Sequence, residues 1–365
     1  MADTHTIDER TAPDPAACFT LLALVLLGTR FVQGFIFWGG ASRRLLYNFR
    51  EVNGADVAVK LDFDSAGFVA NKLTHALPGT LWIQGPLEWT LQSPDLIVAS
   101  VWLWTIAELV VGLALIFGLA TRLAAFICIG LNVSLMLIFG WMGSTCLDEW
   151  TMAVSGVAMS SAVFLAGGGA WSLDSIVGRN QWAQRNPWTA WVFSGPVPLA
   201  QLKTLALVLA AVTVVFTVGS YQILFGAVVS PQHARVSFHN HNIALSDVTL
   251  ADNGAVSFQA YVDAGPDTGA AYVIAARLVD ASGSTVAEWD GATLAALPAT
   301  AISNVYPYVW ASHFKTETVG FSGQTGARAT ITLPPPQGSI TGTARRLVLE
   351  AINGATWKAE TETPQ

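Results

Sequence analysis

The chain predicts a mainly α membrane protein: a four-helix transmembrane bundle, then a fifth transmembrane helix carrying an all-β sandwich of immunoglobulin-like architecture. Three observations predict it. Only 12% of its 365 residues are charged and its mean hydropathy is +0.48, whereas a soluble chain carries about a quarter charged residues, so a bilayer must solvate much of this surface. Five apolar stretches are long enough to cross roughly 30 Å of hydrocarbon. Beyond residue 229 the apolar residues recur at every second position, as in strands buried on one face.

The spans run over Ala16–Gly39, Leu96–Leu119, Leu123–Trp141, Trp150–Ala166 and Leu202–Val228. The residues before them, 1–15, are polar and acidic, without the basic start and cleavage site of a signal peptide. They are expected to form a cytoplasmic tail, so the first apolar stretch stays as a helix. Between the first two spans lies a long loop, 40–95, in which Ser65–Leu77 predicts a short helix stopped by Pro78 and Gly79. Thr80–Leu91, with Trp82 and Trp89, predicts an interfacial segment. Residues 179–201 are expected to be a cytoplasmic linker. In the C-terminal region, 229–365, Val256–Val262 and Tyr272–Val279 alternate apolar and polar residues between Asp/Gly/Pro/Ser turns, the pattern of strands in a sandwich.

Composition also excludes. The net charge is −7 and no Lys/Arg block is present, which argues against a nucleic-acid partner. Cys18, Cys128 and Cys146 form no CxxC pair and no zinc or iron–sulfur spacing, so neither a metal nor a flavin site is expected. Gly167-Gly168-Gly169 follows a membrane helix and is no dinucleotide fingerprint.

Arg122, Arg179, Arg185 and Lys203 fall on one side of the five spans, which the positive-inside tendency makes cytoplasmic. The sandwich and the loops holding Arg43, Arg44 and Cys146 are then periplasmic. Arg43 and Arg44 break the charge tendency, either as a common exception or as an anion site. Arg30 in the first span and Glu108 in the second sit at similar depth, about 15–18 Å from the outer boundary at 1.5 Å per residue. Charges at that depth need partners, so an Arg30–Glu108 ion pair is expected, as a structural staple or as part of a proton or quinone site.

Cys146 has no second cysteine on its side of the membrane, so in an oxidising compartment its thiol is a liability or a reagent. Asp148 and Glu149 follow it, as helix cap and dipole partner or as proton carriers. Because two carboxylates disfavour a thiolate, Arg43, Arg44 and Lys72 are the cations available to offset them. His75 offers a titratable imidazole on the same side. Trp102, Trp104 and Trp141 are belt tryptophans or neighbours of a flat ring ligand. His239 and His241 are more simply strand residues than ligands.

Several of these runs resemble a known family. Arg43-Arg44-Leu45, Lys60-Leu61-Asp62, Lys72-Leu73-Thr74-His75-Ala76-Leu77-Pro78, Glu108-Leu109-Val110-Val111-Gly112, Gly118-Leu119-Ala120-Thr121-Arg122, Gly140–Trp150 with its Cys-Leu-Asp-Glu-Trp, and Gly167–Asp174 resemble the DoxD subunit of thiosulfate:quinone oxidoreductase, within the wider DoxX-like family. The likeness covers residues 16–178, making them a DoxD-like membrane domain. More loosely, Tyr308–Ser312 and Gly326–Ala329 are similar to the DoxA partner subunit, which would make the chain a natural fusion. The resemblance implies oxidation of two thiosulfates to tetrathionate, with electrons passing to membrane quinone as the accepting substrate.

On that basis Arg43, Arg44 and Lys72 are expected to hold the sulfonate of thiosulfate, and Cys146 to form a covalent intermediate with its outer sulfur. Asp148, Glu149 or His75 would handle protons. Expected partners are thiosulfate, quinone and the lipid bilayer of a prokaryotic inner membrane, with a homo-oligomer or a terminal quinol oxidase complex as further possibilities. Two other readings stay open: a non-catalytic membrane anchor or assembly subunit of a respiratory complex, and a DoxX-like redox protein acting on another small sulfur compound.

Overall fold

The computed structural model describes residues 14–47, 49–58, 66–142, 148–226, 228–232, 239–308, 312–336 and 346–361. Cys146 and Lys60–Asp62 lie outside the described residues.

The helical half begins with α1 (Pro15–Val25) and α2 (Leu27–Ser42), followed by a π-helical turn at Arg43–Tyr47 and the hairpin β1 (Phe49–Val52) and β2 (Ala55–Ala58). Then come α3 (Ala66–Ala76), ended by a 3-10 turn at Leu77–Gly79, and α4 (Gln84–Leu91). The long helices α5 (Pro94–Phe117), α6 (Thr121–Phe139) and α7 (Asp148–Ala166) lead to the short α8 (Asp174–Val177), α9 (Gln181–Gln184) and α10 (Pro187–Val192), and then to α11 (Leu199–Phe225). Among the described residues, four helices are long and apolar enough to cross a membrane: α5, α6, α11 and Glu149–Ala166 of α7. Their exposed side chains, such as Leu103, Val110, Leu207 and Val215, present the apolar surface that hydrocarbon demands. The first expected span differs: it is two helices, broken at Leu26, whose φ of −93° and ψ of 6° leave the helical range. Gly28, two residues on, is the nearest weak helix former to the break.

The chain divides into two compact units, and the division cuts across the long helices. The first comprises Met1–Arg43, Thr105–Val133 and Val154–Gly219. Within it α2 and α5 cross closely at two glycines. A Cβ on Gly34 would meet the Gly112 carbonyl at 2.8 Å, and one on Gly112 would meet the Trp38 amide at 2.6 Å. Small residues allow such an approach between helices that gain nothing from hydrophobic burial in lipid. The turn between α5 and α6 is held by Asp174, whose carboxylate accepts from Ala120 N at 2.6 Å, Thr121 N at 3.0 Å and Ser194 Oγ at 2.5 Å. A carboxylate on the first amides of α6 both caps them and meets the positive end of the helix dipole. Arg122, 1% exposed, donates to the carbonyls of Gly195 and Trp191, so the residues expected to be a linker are built into this knot.

The second unit comprises Arg44–Trp104, Ser134–Ala153 and Ser220–Gln365. Its bulk is an antiparallel sandwich. The strands are β3 (Asn242–Leu250), β4 (Val256–Ala264), β5 (Ala270–Val279), β6 (Thr285–Trp289), β7 (Ile302–Asn304), β8 (Phe314–Thr316), β9 (Phe321–Gln324), β10 (Arg328–Leu333), β11 (Arg346–Ala351) and β12 (Thr356–Glu360), with a short α12 (Gly291–Ala295) after β6. One sheet runs β3-β4-β10-β7, the other β12-β11-β5-β9-β8 with β6 also on β5. Every second residue of β4 is buried, Val256, Phe258, Ala260, Val262 and Ala264, and the first four share one core with Ala276, Leu278, Phe321 and Leu349 of the facing sheet.

The sandwich is seated on α3 and α4 of its own unit. Thr74 Oγ1 lies 3.2 Å from Ser312 Oγ, and Arg328 pairs with Glu88. The turn at Gly326, φ +83°, brings its α-carbon against the Thr74 carbonyl, where any Cβ would collide with backbone. Tyr306 and Tyr308 are buried against Ala70, Leu87, Leu91 and Ile97, and burial pushes both phenols up to about 12.

Candidate functional site

In the second unit, α3 carries Asn71, Lys72 and His75. Positions i and i+4 share a helical face, so Asn71 and His75 point the same way with Lys72 beside them. The helix ends where Pro78 removes a donor, and Trp141 fixes that end. Its indole, 2% exposed, donates to the Ala76 carbonyl at 2.8 Å and lies flat over Gly79, which leaves no room there for a Cβ. Leu81 N also donates to the Leu137 carbonyl at 2.8 Å.

A cavity of about 440 Å³ opens beside this helix. Asn71, Lys72, His75, Glu149 and Asp267 supply its polar wall; Leu135, Phe139, Met142 and Met152 are apolar. His75 is 8% exposed, and its Nε2 is buried without a hydrogen-bond partner. Burial holds the imidazole below the ordinary histidine range; Asp267 opposes that shift and Lys72 adds to it. A neutral imidazole near pH 7 carries one donor and one acceptor. It can therefore hydrogen-bond a carbonyl oxygen in one tautomer and a hydroxyl in the other. Lys72 is exposed and connects the polar wall with solvent.

Of the residues expected from the sequence, the structure brings Lys72, His75 and Glu149 together in this cavity. Asp148 begins α7. Arg43 is exposed and Arg44 half-buried, both in the π-helical turn, and neither lines the cavity. Trp102, Trp104 and Trp141 do not line it either, Trp141 acting instead on the end of α3. Asn71 and Asp267 were not expected. Asp267 lies in Gly265-Pro266-Asp267-Thr268-Gly269, which in sequence is an ordinary β-turn, and only the docking of the sandwich on α3 carries it to the cavity.

The expected Arg30–Glu108 ion pair is not formed. Arg30 donates from Nη1 to the Gly168 carbonyl at 2.6 Å and from Nη2 to the Trp171 carbonyl at 2.7 Å. The Glu108 carboxylate lies beside Gly40, 3.2 Å from where a Cβ would sit. Matching depth was the wrong criterion. Side chains lean toward the N-terminus of their own helix, and α2 and α5 are antiparallel, so the two groups diverge. Carbonyls of the Gly167–Trp171 turn take both Nη groups of the guanidinium, while its Nε stays buried without a hydrogen-bond partner, so Arg30 ties α2 to that turn.

Two family models match the chain in succession. One, described as TQO small subunit DoxD, covers residues 25–208; the other, TQO small subunit DoxA, covers 237–360. Among solved structures, the Pseudomonas fluorescens alkylpurine DNA glycosylase AlkC, bound to DNA containing an abasic site analog, aligns at 12% identity over 96% of this chain and 100% of its own. Its TM-score of 0.16 carries no argument.

Proposed function

The chain belongs to the DoxD family of thiosulfate:quinone oxidoreductase small subunits and carries a DoxA region in the same polypeptide; from that premise we propose that it oxidises thiosulfate to tetrathionate at the periplasmic face of a prokaryotic inner membrane and reduces membrane quinone. One observation carries this reading. A single cavity is lined from both regions, by Asn71, Lys72, His75 and Glu149 of the DoxD part and by Asp267 of the DoxA part. Such a lining is what a site needing both subunits requires.

Two thiosulfate dianions repel each other, so direct coupling is difficult, and a covalent intermediate divides the task. The Cys146 thiol bonds the outer sulfur of the first thiosulfate and releases one proton and two electrons. Quinone takes those electrons with two protons and becomes quinol. The second thiosulfate attacks the same outer sulfur, displaces the Cys146 thiolate, which regains a proton, and leaves as tetrathionate. Arg43, Arg44 and Lys72 draw the dianions to this face, and Asp148, Glu149 and His75 carry protons.

The test is turnover by the purified full-length chain in quinone-containing vesicles, with quinol and tetrathionate measured together. One tetrathionate per quinol is expected, and Cys146→Ser should abolish both while the protein still folds. Near-normal turnover in that variant removes the covalent step; no turnover in the parent chain favours a membrane anchor.

A further inference from the structure

Resting on the reading that quinone is the electron acceptor, we propose that the cavity beside α3 is where the quinone ring binds, with His75 Nε2 hydrogen-bonded to one ring carbonyl and Glu149 and Asp267 serving as the nearest proton relays. The alternative occupant within the same reading is thiosulfate, and four features of the cavity decide between them.

The first is charge. The wall offers one ammonium, Lys72, against two carboxylates, Glu149 and Asp267, a poor setting for a dianion and no obstacle to an uncharged ring. Size is the second. About 440 Å³ falls in the range of pockets for drug-sized ligands, whereas a five-atom anion would leave most of that space to water. Third, Leu135 and Phe139 come from the end of α6, Met142 from just beyond it and Met152 from the start of α7, both helices long and apolar enough to cross a membrane. Met152 is 50% exposed, so an isoprenoid tail can leave past it along these helices. Last, His75 Nε2 is buried with no partner, and a buried polar atom left unpaired is costly to the fold. Its position at the edge of the polar wall, facing Leu135, Phe139, Met142 and Met152 across the cavity, fits a ligand carrying a carbonyl oxygen on an apolar ring.

The chemistry balances within this wall. Reduction places two electrons and two protons on the ring, one proton on each oxygen. His75 donates to the carbonyl as the Nε2–H tautomer and accepts from the quinol hydroxyl as the other, so it follows the ring through reduction without gaining net charge. Glu149 and Asp267, ionised at rest, relay protons: each takes one from water entering at the exposed Lys72 side and passes it to the ring.

Photolabelling tests the site whether or not thiosulfate is oxidised. The full-length chain in detergent, without thiosulfate, is irradiated with an azido-quinone and its peptides are mapped by mass spectrometry. Labelling within 71–75, 135–142 or 149–152, displaced by excess short-chain quinone, is expected; displaceable labelling confined to other segments overturns the assignment. Kinetics in vesicles supply the second arm. His75→Leu should raise the quinone KM about tenfold, the loss of one hydrogen bond, and leave the thiosulfate KM within about twofold. Met152→Trp, which fills the cavity from a half-exposed position where folding is not at stake, should do the same. A rise in thiosulfate KM with quinone KM unchanged assigns the cavity to thiosulfate and refutes the proposal. Absence of turnover with labelling intact would instead count against the oxidation of thiosulfate and leave the quinone site standing.

Discussion

Trp141 offers the sharpest test of how the cavity is held. Its indole buries all but 2% of its surface and makes one hydrogen bond, to the Ala76 carbonyl at 2.8 Å, immediately after His75. Trp141→Phe removes the bond and part of the ring. The Ala76 carbonyl still accepts from Thr80 Oγ1 at 3.0 Å, so it is not orphaned, and the bond itself is worth only about 1 kcal/mol. With the small void left by the ring, the total comes to about 2 kcal/mol. Trp141→Ala empties the space over Gly79 and should cost about 3–5 kcal/mol. Thermal unfolding in detergent should rank the parent above Phe and Phe above Ala. Quinone KM should rise in the same order, because the last turn of α3 loses its anchor. An Ala variant as stable as the parent, with unchanged kinetics, would refute the idea that this indole positions His75.

Three further outcomes are expected. Because burial depresses His75 in the folded state, the unfolded chain binds the extra proton first. The stability contributed by this group is full above the unfolded value of about 6.5 and is lost as pH falls toward the folded value. Lys72, Asp267 and Glu149 face the same cavity. His75→Leu should flatten unfolding profiles measured between about pH 7 and 5, and an unaltered slope would exclude His75 as the cause. Asp174→Ala strips two amides at the start of α6 of their acceptor and should cost about 2–4 kcal/mol in chemical denaturation; a cost below about 0.5 kcal/mol would show that water replaces the carboxylate. Gly326→Ala adds backbone strain and drives a Cβ into the Thr74 carbonyl, whereas Gly354→Ala, at the same φ of +83°, meets open space. Limited proteolysis should therefore cut the 326 variant faster than the 354 variant, and equal rates would deny that this turn seats the sandwich.

Much of the fold follows from periodicity. The alternation through Val256–Val262 persists in the structure as buried positions two apart, and Pro78 stops α3 within a residue of expectation. At Gly118–Arg122, a run named only for its family resemblance, positive φ at Gly118 and Ala120 makes the sharp corner that Asp174 caps. Local pattern did not reveal the break at Leu26, because a lone glycine such as Gly28 is also common inside continuous membrane helices. Nor did it give the direction of the Arg30 side chain, which depth alone does not fix. The site was half legible. Lys72, His75 and Glu149 could be named from residue type and topology, but Asp267 is almost two hundred residues from His75 in sequence and arrives only through tertiary docking.

The Asp267 contribution has an assembly consequence. A cavity completed by a carboxylate from another region is unfinished until that region docks. With two separate polypeptides, the fraction of finished sites would depend on how much of each the cell makes. Joined in one chain, docking is intramolecular, and a tether of this kind sets an effective concentration on the order of millimolar. Each copy thus carries its own complement of wall residues, in fixed one-to-one proportion, however dilute the protein is in its membrane.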